Sequence, residues 1–410
     1  MQWLREIPSH WEERKISSIF RERREKVSDK DYAPLSVSKQ GVTPQLETAV
    51  KTDNGDNRKL VLTGDFVVNS RSDRKGSCGV SLLDGSVSLI NIVLEPSSDI
   101  YNMYFHHLAR SNDYIEEYYR LGRGIVADLW TTRYSELKGM VIPLPPLVEQ
   151  EKIVSYLESK TSKINAYVAD KEKEIQLLQE LKQKTIADAV TKGLNPNVKM
   201  KDSGITWLGM IPEYWETKRI ASLFTGKVKA NTDFEYHHAF KFYYGTLVPK
   251  EETGDIEEYR DTYVKYSVLQ KNDIMINGLN LNYDFVSQRV AIAPSDGIIT
   301  SAYVVVRPRM GTNAQYYNYL FKTMDNMKLF HGMGTGIRLT LSFDELKKQL
   351  VIVPPVDEQQ TIVSYIEEKC QKIDTLITEL QAEIDHLKEY KQRLIADIVT
   401  GQVNVQNETI

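Results

Sequence analysis

The chain contains one frame twice. Pro145-Pro146-Leu147-Val148-Glu149-Gln150 returns as Pro354-Pro355-Val356-Asp357-Glu358-Gln359, and Ile153-Val154-Ser155-Tyr156 returns as Ile362-Val363-Ser364-Tyr365, an offset of 209. That offset holds without a gap to Ile186-Ala187-Asp188-Ala189-Val190-Thr191 against Ile395-Ala396-Asp397-Ile398-Val399-Thr400. The openings of the halves match at an offset of 204: Trp3-Leu4, Ile7-Pro8, Trp11-Glu12, Ile16 and Phe20 against Trp207-Leu208, Ile211-Pro212, Trp215-Glu216, Ile220 and Phe224. The second half therefore carries five extra residues in its interior. A repeat on this scale constrains the fold before any local reading does. Between the frames only short anchors correspond, Gly64-Asp65-Phe66-Val67-Val68-Asn69 with Asn272-Asp273-Ile274-Met275-Ile276-Asn277, and Gly122-Arg123-Gly124-Ile125 with Gly334-Thr335-Gly336-Ile337. Two copies of one scaffold with different loops suit two different targets.

Each Pro-Pro pair opens a run free of further Pro that ends at Gly193 or Gly401, so the spacing predicts helices over Glu149–Lys192 and Glu358–Gly401. Helices of that length reach roughly 65 Å. Ile153, Leu157, Ile164, Val168, Ile175 and Leu178 form an apolar stripe, matched by Ile362, Ile366, Ile373, Ile377, Ile384 and Leu387. Such stripes need a partner helix, and the simplest is the other copy, paired antiparallel. Asn195-Pro196-Asn197, inside the linker Gly193–Ser203, gives the turn that ends the first run. The expected class is α+β: globular α+β domains at 1–143 and 194–353, separated by two long antiparallel coiled-coil helices in 144–193 and 354–410, with an internal pseudo-twofold repeat.

Composition narrows the classes further. With 41% hydrophobic and 26% charged residues, the chain falls in the globular range. It lacks a run of ~18 uninterrupted apolar residues, and Met1 to Phe20 is charged throughout, so a soluble cytosolic protein without membrane contact is expected. Two cysteines, Cys78 and Cys370, give neither a disulfide framework nor a zinc set. The net charge of −4 lies in 354–410, where 5 basic residues face 11 acidic ones, and the rest is neutral to slightly basic.

The order, spacing and duplication of these elements together resemble the DNA-specificity subunit of Type I restriction-modification systems. The residues that carry the likeness are Ile142-Pro143-Leu144-Pro145-Pro146-Leu147-Val148-Glu149-Gln150 and Ile352-Val353-Pro354-Pro355-Val356-Asp357-Glu358-Gln359, the helices behind them, and Gly204-Ile205-Thr206-Trp207-Leu208-Gly209-Met210-Ile211-Pro212. One departure is that Lys199–Thr206 has no counterpart before Trp3. The resemblance implies two target-recognition domains, each reading half of a bipartite double-stranded DNA target, with the helices setting the unread gap. It implies as partners two modification (methyltransferase) subunits and restriction (translocase/nuclease) subunits. S-adenosylmethionine, ATP and Mg would then serve the partners, and this chain would be non-catalytic with no cofactor of its own.

The residues agree with that role. Asn195-Pro196-Asn197 is not the Asn/Asp-Pro-Pro-aromatic element an adenine methyltransferase uses to hold a flipped base, and Gly332-Met333-Gly334-Thr335-Gly336 lacks the Lys-Ser/Thr of a phosphate loop, so a tight turn is the better reading. His106-His107 and His237-His238 lack ligands at metal spacing. Cys78 reads as part of a polar loop, and Glu116-Glu117 and Glu257-Glu258 as solvated faces. DNA contact calls for cations and for side chains with paired donors and acceptors, on loops. In the first domain these are Arg71, Arg74 and Lys75 after the strand Phe66-Val67-Val68, then Lys39 and Gln40, then Arg120 and Arg123. In the second they are Asn277, Asn280 and Asn282, which favour adenine, with Lys241, Tyr243, Tyr244 and Arg338; the two tyrosines also read as core. The competing reading is a coiled-coil scaffold whose duplicated domains bind protein.

Overall fold

Short apolar runs bounded by Gly, Asp and Asn become strands here, and the two long runs become helices. The computed structural model describes residues 3–4, 6–45, 55–71, 74–124, 130–226, 228–283 and 288–408. In the first half the elements are β1 (Glu12–Lys15), α1 (Ile16–Ile19), β2 (Phe20–Glu22), β3 (Lys26–Val27), β4 (Leu35–Ser38), β5 (Gly41–Pro44), β6 (Arg58–Val61), β7 (Phe66–Asn69), β8 (Cys78–Val80), β9 (Gly85–Val87) and β10 (Asn91–Pro96). Then come α2 (Asn102–Ala109), α3 (Asn112–Arg120), α4 (Tyr134–Leu137), β11 (Val141–Leu144) and the long helix α5 (Leu147–Lys192). The second half holds β12 (Met200–Asp202), β13 (Met210–Pro212), β14 (Glu216–Arg219), α6 (Ile220–Leu223), β15 (Phe224–Thr225), β16 (Phe240–Tyr243), β17 (Thr246–Pro249), α7 (Arg260–Tyr263), β18 (Ser267–Leu269) and β19 (Ile274–Ile276). It continues through β20 (Val290–Ile292), β21 (Gly297–Ile299), β22 (Val304–Pro308), α8 (Ala314–Asn326), α9 (Phe343–Leu346), β23 (Leu350–Val353) and α10 (Val356–Val399).

The chain divides into two units, Met1–Lys173 with Leu380–Ile410, and Glu174–Glu379. Each takes one globular half and part of both long helices. In the first unit the four-stranded sheet runs β2-β10-β7-β8, and in the second β15-β22-β19-β20. The hairpin β4-β5 answers to β16-β17, the pair β6-β9 to β18-β21, and β1-β11 to β14-β23. The duplication therefore extends through the interiors whose sequences scarcely correspond. A strand needs only its alternation and burial to keep its place, so identity can drift while pairing does not.

The residues shared by the two copies gather at one node in each unit. The Gln150 side chain, fully buried, accepts from the Tyr101 amide at 2.7 Å and donates to Pro145 O at 2.8 Å and Asp99 O at 3.0 Å. Gln359 repeats this, accepting from the Asn313 amide at 3.1 Å and donating to Pro354 O at 2.8 Å. The Gln of each Pro-Pro element thus ties the start of a long helix to the entry of α2 or α8. Glu149 pairs with His10 at 2.9 Å, and Glu358 accepts from Trp215 Nε1 at 3.0 Å and Tyr214 OH at 2.9 Å. The glycine after each helix closes the node: a β-carbon on Gly193 would sit 3.2 Å from the Trp215 ring, and one on Gly401 3.1 Å from the Trp11 ring. Both glycines have φ near +75°, which stops the helix at the tryptophan.

The long helices are paired antiparallel in each unit, as the stripes require. In the first unit Lys391 donates to Asn165 at 2.8 Å, Lys388 pairs with Glu172 at 3.2 Å and Lys171 with Glu383 at 3.1 Å. In the second, Lys182 pairs with Asp374 at 2.7 Å. Rising numbers along α5 meet falling numbers along α10 in both. Of the stripe residues, Ile153, Leu157, Val168, Ile362, Ile366, Ile373 and Ile384 are buried, while Ile164, Ile175, Leu178, Ile377 and Leu387 are half-buried. The first unit's core takes Ile153, Val154 and Leu157 of α5 with Ile398 and Val399 of α10; the second takes Ala189 and Val190 with Ile362, Val363 and Ile366. Start of one helix packs beside end of the other.

Two expectations need correction. The linker after Gly193 is not all turn, because Met200–Asp202 forms β12 and pairs with β13, whose Ile211 is buried. Cys78 is not in a polar loop but opens β8, buried, and burial pushes its thiol up to about 12. A thiol so held is inert at neutral pH. Among the described residues, no helix is long and apolar enough to cross a membrane.

Candidate nucleic-acid interface

In the first unit the loop after β7 runs from Ser70 to Ser77; of it, Ser72 and Asp73 lie outside the described residues, as does Ile125 of the second anchor. Arg71 and Arg123 both form β-bridges with Thr131, and the Thr132 amide donates to Ser70 O at 3.1 Å. Two loops distant in sequence thus share one short ladder. Tyr114, Tyr118 and Trp130 line the space beneath them, and Trp130 Nε1 donates to Tyr119 O at 2.9 Å. The candidates there differ in availability. Lys75 pairs with Glu116 at 3.0 Å and lies 3.8 Å above the Tyr119 ring, and Arg120 holds Glu117 through two bonds of 2.7 Å. Arg74 is exposed. Arg71 and Arg123 are also exposed and, among the described residues, hold no ion pair.

Lys39 and Gln40 form the exposed turn of β4-β5. Gln40 Oε1 accepts from Ser38 Oγ at 2.7 Å, and the Arg110 guanidinium donates to Lys39 O. The turn lies against β8, for a β-carbon on Gly79 would sit 3.1 Å from Gly41 Cα. All three candidate loops therefore gather at one end of the sheet.

The second unit repeats the arrangement with other side chains. The loop Asn277–Arg289 is bonded to the hairpin before α9: the Leu341 amide donates to Gly278 O at 2.9 Å and the Leu281 amide to Leu339 O at 3.1 Å. That hairpin contains the Gly-rich run, closed by a Thr335–Thr340 bridge, so the tight turn is what forms. Arg338 is exposed on it. Asn280 is exposed with φ +51°, a backbone that Asn tolerates. Asn277 and Asn282 are half-buried: Asn277 Oδ1 accepts from the Leu279 amide at 3.2 Å, and Asn282 donates to Ile337 O at 3.4 Å. Of the three asparagines, Asn280 is the one offered most fully to a ligand.

Lys241, Tyr243 and Tyr244 sit on the hairpin β16-β17. Its two-residue turn Tyr244-Gly245 takes φ of +41° and +74°, the left-handed pair a tight hairpin demands. That turn drives the tyrosines outward; they are 60% and 68% exposed, so their reading as core is corrected. Their rings meet edge to face at 4.8 Å, an exposed aromatic pair at the tip of the hairpin that carries Lys241.

The first histidine pair is buried and structural, whereas His237 and His238 are exposed. His106 and His107 lie on α2, and burial lowers His106 to about 3, with His107 and Arg110 adding to it, and His107 to about 4, with Arg110 adding. The unfolded chain takes up these protons near the ordinary 6.5 and the folded chain does not. Their contribution is therefore fully present above about 6.5 and is lost as pH falls toward 4. Acidification from pH 7 to 4.5 is expected to lower the melting temperature of the chain more than that of a His106→Gln/His107→Gln variant. Equal acid sensitivity of the two would contradict this. Among the described residues, no group of three or more His, Cys, Asp or Glu could hold a metal.

Sequence reasoning missed the residues that hold these loops in place, Arg110, Thr131 and Arg289. Each works through backbone carbonyls or bridges, and no spacing in the sequence marks such a partner.

Residues 212–386 match the family described as the Type I restriction modification DNA specificity domain. The chain is 23% identical over 283 residues to the putative type I restriction enzyme MjaX specificity subunit of Methanocaldococcus jannaschii, covering 66% of this chain and 61% of that one. It is 21% identical over 334 residues to the EcoKI specificity subunit of Escherichia coli K12, covering 77% and 68%. The match thus spans less than two thirds of the archaeal relative. Among solved structures, a chain from a study of complex assembly and conformational transition in the type I R-M system superposes with a TM-score of 0.70 at 14% identity, covering 97% of this chain and 100% of that one. The HsdS subunit of Thermoanaerobacter tengcongensis gives 0.54 at 17%, covering 97% and 99%. The duplicated frame and the antiparallel helices are thus those of the solved specificity-subunit fold, and residues 212–386 match the Type I restriction modification DNA specificity domain.

Proposed function

We propose that this chain is the sequence-reading, non-catalytic subunit of a Type I restriction-modification complex. Each unit reads one half of a bipartite duplex target, and partner subunits carry out adenine methylation and restriction. One observation carries the reading: equivalent loops on one duplicated topology present Arg71 and Arg123 in the first unit but Asn280, Arg338 and the Tyr243-Tyr244 pair in the second. A scaffold that only held proteins together would have no reason to keep the frame and exchange base-reading side chains at its loops. S-adenosylmethionine, ATP and Mg are assigned to the partners, two of them modification subunits.

The test is to express the chain with its neighbouring modification subunit and map methylated adenines in the host genome, with and without the chain. A split motif with a fixed unread gap that appears only with the chain is expected. A stable, active complex with no chain-dependent motif would favour the protein-binding scaffold.

A further inference from the structure

The loop Asn277–Arg289, of which residues 284–287 lie outside the described residues, differs in length from its twin. From Gly278 to Arg289 it is four residues longer than the equivalent stretch from Ser70 to Ser77 in the first unit. Longer loops expose more backbone carbonyls with no strand to receive them and are harder to hold in one shape. Among the described residues, the part Asn277–Leu281 is held from outside by the Leu341 amide and the Leu339 carbonyl and from inside by the Arg289 side chain. Arg289 is 1% exposed. Its Nη1 donates to Asn277 O at 3.0 Å and to Leu279 O at 2.8 Å, and its Nη2 lies 3.4 Å from Asn280 O. Its own backbone is fixed as well, since its amide donates to Asp325 Oδ2 at 2.6 Å and its carbonyl accepts from the Asn277 amide at 2.8 Å. At the corresponding place, just before β8, the first unit has Ser77.

We infer that Arg289 is a positioning residue for base recognition by the second unit: it never reaches the DNA, and sets the direction in which Asn280 and its neighbours meet the base edges. The inference rests on the DNA-reading function proposed above. A guanidinium suits the task because its donors form a rigid planar fork, able to bind three carbonyls of one turn at once. Asn280 sits in a left-handed backbone whose carbonyl Arg289 holds, so the asparagine amide projects from a fixed stem. Without the fork, Asn280 samples several directions, and bidentate contact with a base requires one.

The test uses the full chain in its complex with the modification subunits, scoring methylation of host-genome adenines base by base in each half of the motif. Arg71→Ala/Arg123→Ala first identifies the half read by the first unit. Arg289→Met is then expected to reduce discrimination at the other half about tenfold or more, comparable with losing one bidentate base contact, while the first half keeps its stringency. Arg289→Lys, which keeps the charge but replaces the fork with a single nitrogen, is expected to fall between Met and the parent. Met324→Ala, which opens a cavity in the core of the same unit, is expected to reduce methylation at all sites without changing base preference. Should Arg289→Met fail to fold, the lysine variant decides: parental stringency in both halves overturns the inference, and relaxation of the second half alone upholds it. Relaxation of both halves together in either variant also overturns it. A parent chain that yields no split motif defeats the function proposed above instead, so the two failures are told apart.

Discussion

Arg71→Ala/Arg123→Ala is expected to abolish discrimination at one half-site and leave the other intact, with affinity for the full target falling about a hundredfold. The magnitude follows from two guanidinium contacts at about 1–3 kcal/mol each. The choice of these two over the other basic candidates is structural. Arg71 and Arg123 meet at Thr131 and carry no ion pair among the described residues, whereas Lys75 is engaged by Glu116 and Tyr119, and Arg120 by Glu117. Lys75→Ala and Arg120→Ala are accordingly expected to have small effects. The measurement is a binding titration against duplexes altered in one half at a time, repeated over a range of salt. Were the two arginines to grip phosphate and read no base, the loss would be equal for all sequences and the salt slope would flatten by about 2. Equal loss of discrimination at both halves would sink the modular arrangement itself.

The largest expected effect on stability belongs to Asp273→Ala. Asp273 is fully buried and accepts from Arg307 Nε at 2.9 Å, Arg307 Nη2 at 2.8 Å and the Gln270 amide at 2.8 Å. Alanine leaves the guanidinium and the amide without their acceptor. Breaking such a pair from one side costs about 3–5 kcal/mol, and the partial exposure of Arg307 places the value near 3. In a unit of this size that lowers its melting transition by roughly 10 °C. Calorimetry of the full chain measures it, and an unshifted transition would count against the account. Asp65 with Arg23 makes the same two-pronged pair in the first unit, at 2.8 and 3.1 Å, so Asp65→Ala is expected to act there alike. The arginines come from different places, Arg23 from just after β2 and Arg307 from β22, so the acid is the shared part and its partner is not.

That pair explains why Gly64-Asp65 and Asn272-Asp273 stand out as anchors in otherwise dissimilar interiors. A buried carboxylate must be satisfied wherever it sits, so it tolerates little change. The Pro-Pro elements were legible for a related reason: Gln150 and Gln359 bond backbone groups that any sequence would present. The interior strands of the two units were not legible as equivalent, although their order is the same, because strand pairing needs a pattern of burial and no particular residue. The outward Tyr243 and Tyr244 were read partly as core because aromatic content alone does not say which way a turn faces.

The sequence by itself determined the duplication, the two long helices and the loops worth suspecting, all of which follow from periodicity, Pro and Gly placement and local chain stiffness. The tertiary structure alone decided which suspects are available, that Arg71 and Arg123 share a ladder at Thr131, and that Arg289 binds the backbone of the Asn-rich loop. Those facts depend on where a side chain ends and which carbonyl it meets across a fold. A contact between residues distant in sequence leaves no spacing to read.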